Sequence, residues 1–153
     1  VTSVGIAGRS VAGARGIKVE ADAGPEGLSL DYDCAIVPGG GRGAANLAAS
    51  AEAAALIKRH FAAGKTVAAI CAAPAVVLHG ACGILAGRRF TCFPGLESGV
   101  QGARFSPDRV VVDGNLITSR AAGTAGEFAR AIIAALAGEA KAEEVAKAVL
   151  LGA

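Results

Sequence analysis

Tryptophan is absent, tyrosine occurs once and aromatic residues make up only 4% of the 153 residues. So few rings argue against an aromatic-rich binding surface. The abundant small residues suit close packing of helices on a sheet instead. Charge of one sign is lacking too. Fifteen Lys and Arg face thirteen Asp and Glu, a net +2, too little to draw a nucleic acid or an anionic membrane. Arg88 and Arg89 adjoin, but no basic run follows them, and they read as a solvated loop. No apolar stretch reaches the roughly 18 residues of a membrane span. No basic n-region with an apolar core opens the chain, so an unsecreted protein is expected. Histidine occurs twice, and Cys34, Cys71, Cys82 and Cys92 form no C-x-x-C pair. Neither a metal site nor a disulfide framework is expected. Free thiols in an unsecreted chain point to a reducing compartment, the cytoplasm, with an organelle left open. "GGGRG" lacks the G-x-G-x-x-G fingerprint and the Walker lysine, so no nucleotide cofactor is expected.

What is present is an apolar, glycine-rich chain, 53% hydrophobic with 22 Gly, of a length that fits one domain over residues 1–153. "VTSVGIAG" (1–8) reads as a strand and "GIKVEAD" (16–22) as a short strand or arm. "GPEGLSLDY" (24–32) is turn chemistry. "DCAIVPGGG" (33–41) is a buried strand ending in a tight loop. Ser50 caps a helix that Gly64 ends. "KTVAAIC" (65–71) is a second buried strand, and "AAPAVVLHG" (72–80) a helix with Pro74 in its first turn. "RRFTCF" (88–93) reads as a strand. Asp113-Gly114 marks a hairpin between two apolar runs in 109–119. Helices follow over 123–138, with apolar spacing at Phe128, Ile132, Ile133 and Leu136, and over 139–151. Strands that alternate with helices predict an α/β fold, a mostly parallel sheet covered on both faces.

In such a sheet the reacting groups gather at the carboxyl ends of the strands. Cys71 falls at one such end and "PGG" (38–40) at another. A helix starting just after Cys71 aims backbone N–H groups and its positive dipole end at the sulfur, a setting that favours a thiolate. The N–H groups of Ala72, Gly39 and Gly40 could then form an oxyanion hole, in the manner of a nucleophile elbow with Cys in place of Ser. The residues alone leave open a buried, inert cysteine that ends a strand.

Four segments, "DYDCAIVPGGGRGAANL", "GKTVAAICAAPAVVL", "GRRFTCFPGLE" and "DGNLITSRAAGTAGEFA", resemble the ThiJ/PfpI superfamily, which has a class I glutamine amidotransferase-like fold. Within it they are most similar to the parkinsonism-associated deglycase branch and related bacterial stress chaperones. The resemblance implies a flavodoxin-like three-layer sandwich with a C-terminal β-hairpin, a homodimer, no cofactor, and a nucleophilic, oxidation-sensitive Cys71. It implies a glutathione-independent glyoxalase or deglycase acting on small aldehydes or glycated substrates, with methylglyoxal converted to lactate. The alternative is a non-enzymatic redox sensor or oxidative-stress chaperone with an oxidisable Cys71. By position, Gly39, Gly40 and Ala72 supply backbone donors. Arg15, Phe93, Ser119 and Arg120 match the substrate pocket or the dimer interface.

Three departures stand out. The first strand and helix of the family are absent from this chain, with the glutamate that meets the reactive cysteine. The expectation is a single ThiJ/PfpI-like domain that is N-terminally incomplete relative to the family, with completion by a separate N-terminal fragment left open. Glu20 and Asp22 read as solvated and do not replace the glutamate. Histidines expected after or opposite the cysteine are replaced by Ala72 and Phe93, and none follows His79. At about 1.5 Å per residue His79 lies too far along a helix to act as the base. His60, near a helix C-terminus where a surface cation is favoured, reads as structural. A peptidase or amidotransferase is therefore the least expected function. "AAG" (121–123) lacks the family's usual Pro. Of the other thiols, Cys34 reads as core, Cys82 as an exposed turn residue, and Cys92 as a structural residue near the loop that borders the pocket, with a secondary oxidation site as the less favoured alternative.

Overall fold

The computed structural model describes residues 1–28 and 32–152. The strands are β1 (Ser10–Ala12), β2 (Lys18–Glu20), β3 (Cys34–Val37), β4 (Thr66–Ile70), β5 (Arg89–Phe90), β6 (Arg104–Phe105), β7 (Val110–Asp113) and β8 (Leu116–Ser119). Helices α1 (Gly41–Ala49) and α2 (Ala51–Ala62) join β3 to β4. A π-helix, Pro74–Ala81, follows β4, and α3 (Ala125–Ala137) and α4 (Glu139–Ala148) close the chain.

The main sheet has the order β3-β4-β8-β7. β3, β4 and β8 run parallel, while β7 and β8 form an antiparallel hairpin. Asp113 pairs with Leu116, so Gly114 and Asn115 make the loop, and Gly114 takes the positive φ of +61° that a tight hairpin turn needs. β4 shows why two faces are covered. Val67 and Ala69 pack with Val77, Leu78 and Ile57 on one side. Ala68 packs with Ile117, Phe128 and Ile132 on the other. Successive side chains of a strand point to opposite faces, and alanines there let helices come close on both. Fully buried Phe90, Leu78 and Leu85 each contribute about 1.5–3 kcal/mol of apolar burial. The expected flavodoxin-like α/β layering is present.

Ser50 caps α2 as expected, its hydroxyl accepting the Ala53 N–H at 3.2 Å. Other expectations fail for local reasons. Residues 1–8 form only isolated bridges, Val4 to Ala23 and Ile6 to Gly8. The strand expected over 88–93 shortens to Arg89–Phe90 because the Thr91 N–H turns to the Thr118 hydroxyl at 3.0 Å. α1 was not expected from a run of three glycines; its buried Ala44 shows that packing overrides propensity there. Part of the turn expected at 24–32, residues 29–31, lies outside the described residues. Among the described residues no helix is long and apolar enough to cross a membrane.

Candidate active site

β4 ends at Ile70 and the chain turns within Cys71, whose φ is +67°. A non-glycine residue in that region is held there against a cost of roughly 1–2 kcal/mol, and such outliers cluster at functional sites. Two hydrogen bonds fix it. The Cys71 N–H donates to the Ser119 carbonyl at 2.9 Å, and the Cys71 carbonyl accepts the Phe93 N–H at 2.8 Å. The thiol-bearing residue stays half-buried, while Ala72, Ala73 and Pro74 behind it are buried. The inert-core reading of Cys71 therefore does not hold for its exposure.

The π-helix starts at Pro74, where a missing N–H leaves nothing unsatisfied. Its wide turn is visible in the Cys82 N–H, which bonds Val77, and π segments recur at functional sites. Pro38, Gly39 and Gly40 leave β3 next door, because Val37 is in register with Ala69. A β-carbon on Gly39 would sit 2.5 Å from that of Cys71, 2.7 Å from the Ile70 carbonyl oxygen and 3.3 Å from the Ala72 nitrogen. Only glycine lets that backbone lie against the elbow. Gly40, with φ +85°, is the N-cap of α1. The sequence-predicted group of Cys71, Gly39, Gly40 and Ala72 thus gathers at the ends of two adjacent parallel strands.

The other predicted residues divide. Phe93 is exposed and adjoins Cys71 through its backbone. Arg120 donates to the Pro107 carbonyl at 2.9 Å and lies 5.9 Å over the Phe105 ring. Ser119 is buried, and its hydroxyl lies 2.7 Å from that of Thr124 and 3.0 Å from the Arg109 carbonyl. Its side chain is thus committed to the framework, and its carbonyl alone touches the elbow. Arg15 sits on the exposed turn between β1 and β2, a hairpin separate from the main sheet. Sequence reasoning passed over Thr91, Thr118 and Thr124, whose polar groups tie β8 to both flanks of the site. The polar pair inside the apolar run "LITS" was the available signal.

The histidines and remaining cysteines need correction in two places. His60 is fully buried rather than a surface cation, with Nε2 3.0 Å from the Tyr32 carbonyl oxygen. Cys82 is buried rather than exposed, its thiol 3.8 Å from the Ala54 carbonyl oxygen. Burial raises its pKa. Burial pushes the Cys34 thiol, on β3, up to about 11, with Asp33 adding. Burial likewise pushes Cys92 up to about 11, with the charges of Glu97 and Cys71 adding and Arg120 opposing. Glu20 is exposed and pairs with Arg9, and Asp22 is held by Ser3, so both stay on the β1–β2 side. Among the described residues no carboxylate hydrogen-bonds the Cys71 sulfur, and no group of three His, Cys, Asp or Glu could hold a metal.

A wide groove of about 1110 Å³ runs along the free edge of β3. Val4, Ile6, Ile36, Leu47 and Ile57 are among the apolar residues that line it. Ile36, at the middle of β3, is 47% exposed, unlike an inner strand of a doubly covered sheet.

A model of the DJ-1/PfpI family matches residues 1–135. The chain belongs to that family. Protein dj-1beta of Drosophila melanogaster is 36% identical over 155 residues, covering 99% of this chain and 82% of the fly protein. The crystal structure of the same DJ-1/PfpI relative superimposes with a TM-score of 0.93 at 35% identity, over 100% of this chain and 83% of that one. Protein DJ-1 homolog B of Arabidopsis thaliana is 38% identical over 92% of this chain, which spans only 32% of that relative's length. A Pyrococcus abyssi (strain GE5 / Orsay) protein named a deglycase is 34% identical, over 74% of this chain and 68% of its own. The DJ-1/PfpI match ends within α3, so α4 lies beyond it.

Proposed function

We propose that this chain carries the reactive centre of a cysteine-dependent enzyme acting on small reactive dicarbonyls, with Cys71 as nucleophile. The observation that carries the reading is the left-handed Cys71, held between β8 and Phe93 with the Gly39 backbone against it. The Cys71 thiolate adds to the aldehyde carbon of methylglyoxal. The developing oxyanion is met by the N–H groups of Ala72, Gly39 and Gly40. A proton then moves from the former aldehyde carbon to its neighbour, leaving a thioester, and water hydrolyses it to lactate and the free thiol. The Pyrococcus relative's name supports this chemistry. Arg120 and Phe93 border the pocket in this reading, Arg15 belongs to an interface, and the protein is a homodimer, which sedimentation velocity would test.

The proton carrier is the open position, since no carboxylate among the described residues bonds the sulfur. We assign the β3 groove to a strand and helix of further polypeptide, in the same or a separate chain, which brings that carboxylate. The free β3 edge and the apolar walls support this, and an unpaired edge is a ready template for another strand. Hydrogen exchange tests it: the groove-facing amides of Cys34–Val37 exchange quickly in this chain alone. Full protection there would refute the assignment.

The test of the activity is methylglyoxal consumption with lactate formation, for the wild type and Cys71→Ala. Turnover lost in the variant supports the enzyme. That no described carboxylate meets the sulfur also favours a second reading, a redox sensor or stress chaperone in which Cys71 is oxidised. That reading gains if neither protein turns over while peroxide adds oxygen at Cys71.

A further inference from the structure

We propose that Cys92 is the resolving thiol for Cys71, so that a hydroperoxide converts the pair into an intrachain disulfide. The proposal rests on Cys71 being the reactive thiol, as argued above.

The segments that carry the two cysteines are held by one strand. Consecutive residues of β8 hold the two segments: the Thr118 hydroxyl accepts the Thr91 N–H at 3.0 Å, and the Ser119 carbonyl accepts the Cys71 N–H at 2.9 Å. The segments also bond each other, Phe93 N–H to Cys71 carbonyl at 2.8 Å. Backbone segments joined in this way lie about 5 Å apart. A disulfide needs α-carbons roughly 4.4–6.8 Å apart. The charge of Cys71 reaches Cys92 and adds to the rise in its pKa that burial causes first.

Their environments divide the labour. Cys71 is half-buried and open to a small oxidant, whereas Cys92 is fully buried, with its thiol 3.5 Å from the Phe93 carbonyl oxygen. A thiol kept protonated and dry resists direct oxidation and stays reduced until Cys71 reacts. The other thiols are badly placed. Cys34 is in register with Thr66 at the opposite end of β4, roughly 16 Å from the elbow at about 3.3 Å per residue. Cys82 is turned to the Ala54 carbonyl beyond the π-helix.

The chemistry balances. The Cys71 thiolate attacks one oxygen of the hydroperoxide, the O–O bond breaks, and the departing alkoxide or hydroxide takes a proton from water. Cys71 is then a sulfenic acid. The Cys92 sulfur attacks the Cys71 sulfur, the S–S bond forms and the S–O bond breaks. The hydroxide leaves with the Cys92 proton as water. The peroxide is reduced and two thiols are oxidised. The bond would spare Cys71 the irreversible sulfinic step.

The test uses the reduced chain, hydrogen peroxide, an alkylating quench and peptide mapping by mass. The expected result is loss of the two thiol hydrogens, a linked peptide pair joining Cys71 to Cys92, and both sites closed to alkylation until a dithiol reductant is added. In Cys92→Ser the linked pair vanishes and Cys71 gains two oxygens. The wild-type map decides even if the variant folds poorly. Cys71 carrying two oxygens beside an alkylated Cys92 in the wild type would overturn the disulfide and leave the reactive Cys71 standing. An unmodified Cys71 would overturn both.

Discussion

Gly39 and Cys71 come from different strands, yet the space a β-carbon on Gly39 would need is already filled by the β-carbon of Cys71. The loop after β3 and the turn after β4 are therefore one packed unit, and the setting of the Cys71 side chain depends on a residue with no side chain.

Gly39→Ala should strain this unit from both sides, against the Cys71 β-carbon and the Ile70 carbonyl. Overpacking of this kind costs about 1–3 kcal/mol. The denaturant midpoint should fall accordingly, and thiol-reagent labelling of Cys71 should change rate. An unchanged midpoint and rate would show that the loop moves aside freely.

Cys71→Gly should be more stable than Cys71→Ala. Both remove the sulfur and both should abolish turnover. Alanine at φ +67° keeps the left-handed penalty of about 1–2 kcal/mol, which glycine lacks. Equal melting temperatures for the two variants would mean that residue 71 relaxes out of the left-handed region.

Stability should fall between pH 9 and 11. The Cys34 and Cys92 thiols rise from 9.0 to about 11 on folding because burial favours the neutral form. The unfolded chain then loses these protons first. Their stabilising contribution is whole below the unfolded pKa and is lost as pH rises through the folded one. Urea midpoints measured across this window should drop less steeply in Cys34→Ser than in the wild type. Parallel curves would remove Cys34 from the account.

Ser119→Ala should leave the Thr124 hydroxyl without its 2.7 Å neighbour in a buried site. Loss of a buried hydrogen-bond partner costs about 1–3 kcal/mol. The Ser119 carbonyl still holds the Cys71 N–H, so catalysis in the folded fraction should survive. A variant with full stability but no turnover would place the hydroxyl in the pocket after all.

Much of this was written in local sequence. The alternation of "KTVAAIC" and its neighbours sets the layering, Ser50 starts α2, and Asp113, Gly114 and Asn115 turn the hairpin, because each depends on side chains a few residues apart. Cys71 and Gly39 could be named for the same reason, from small residues at strand ends. Tertiary structure decided the rest. Burial of Cys82 and His60 depends on what packs over them from elsewhere in the chain. So does the start of α1 at the last of three glycines, and the failure of residues 1–8 to build a continuous strand. The segments of Cys92 and Cys71 are both held by β8, whose Thr118 hydroxyl lies 27 residues beyond Thr91 and whose Ser119 carbonyl lies 48 residues beyond Cys71 in sequence. Short-range periodicity carries no record of such long-range pairing, which arises only when distant backbone groups must satisfy their hydrogen bonds together.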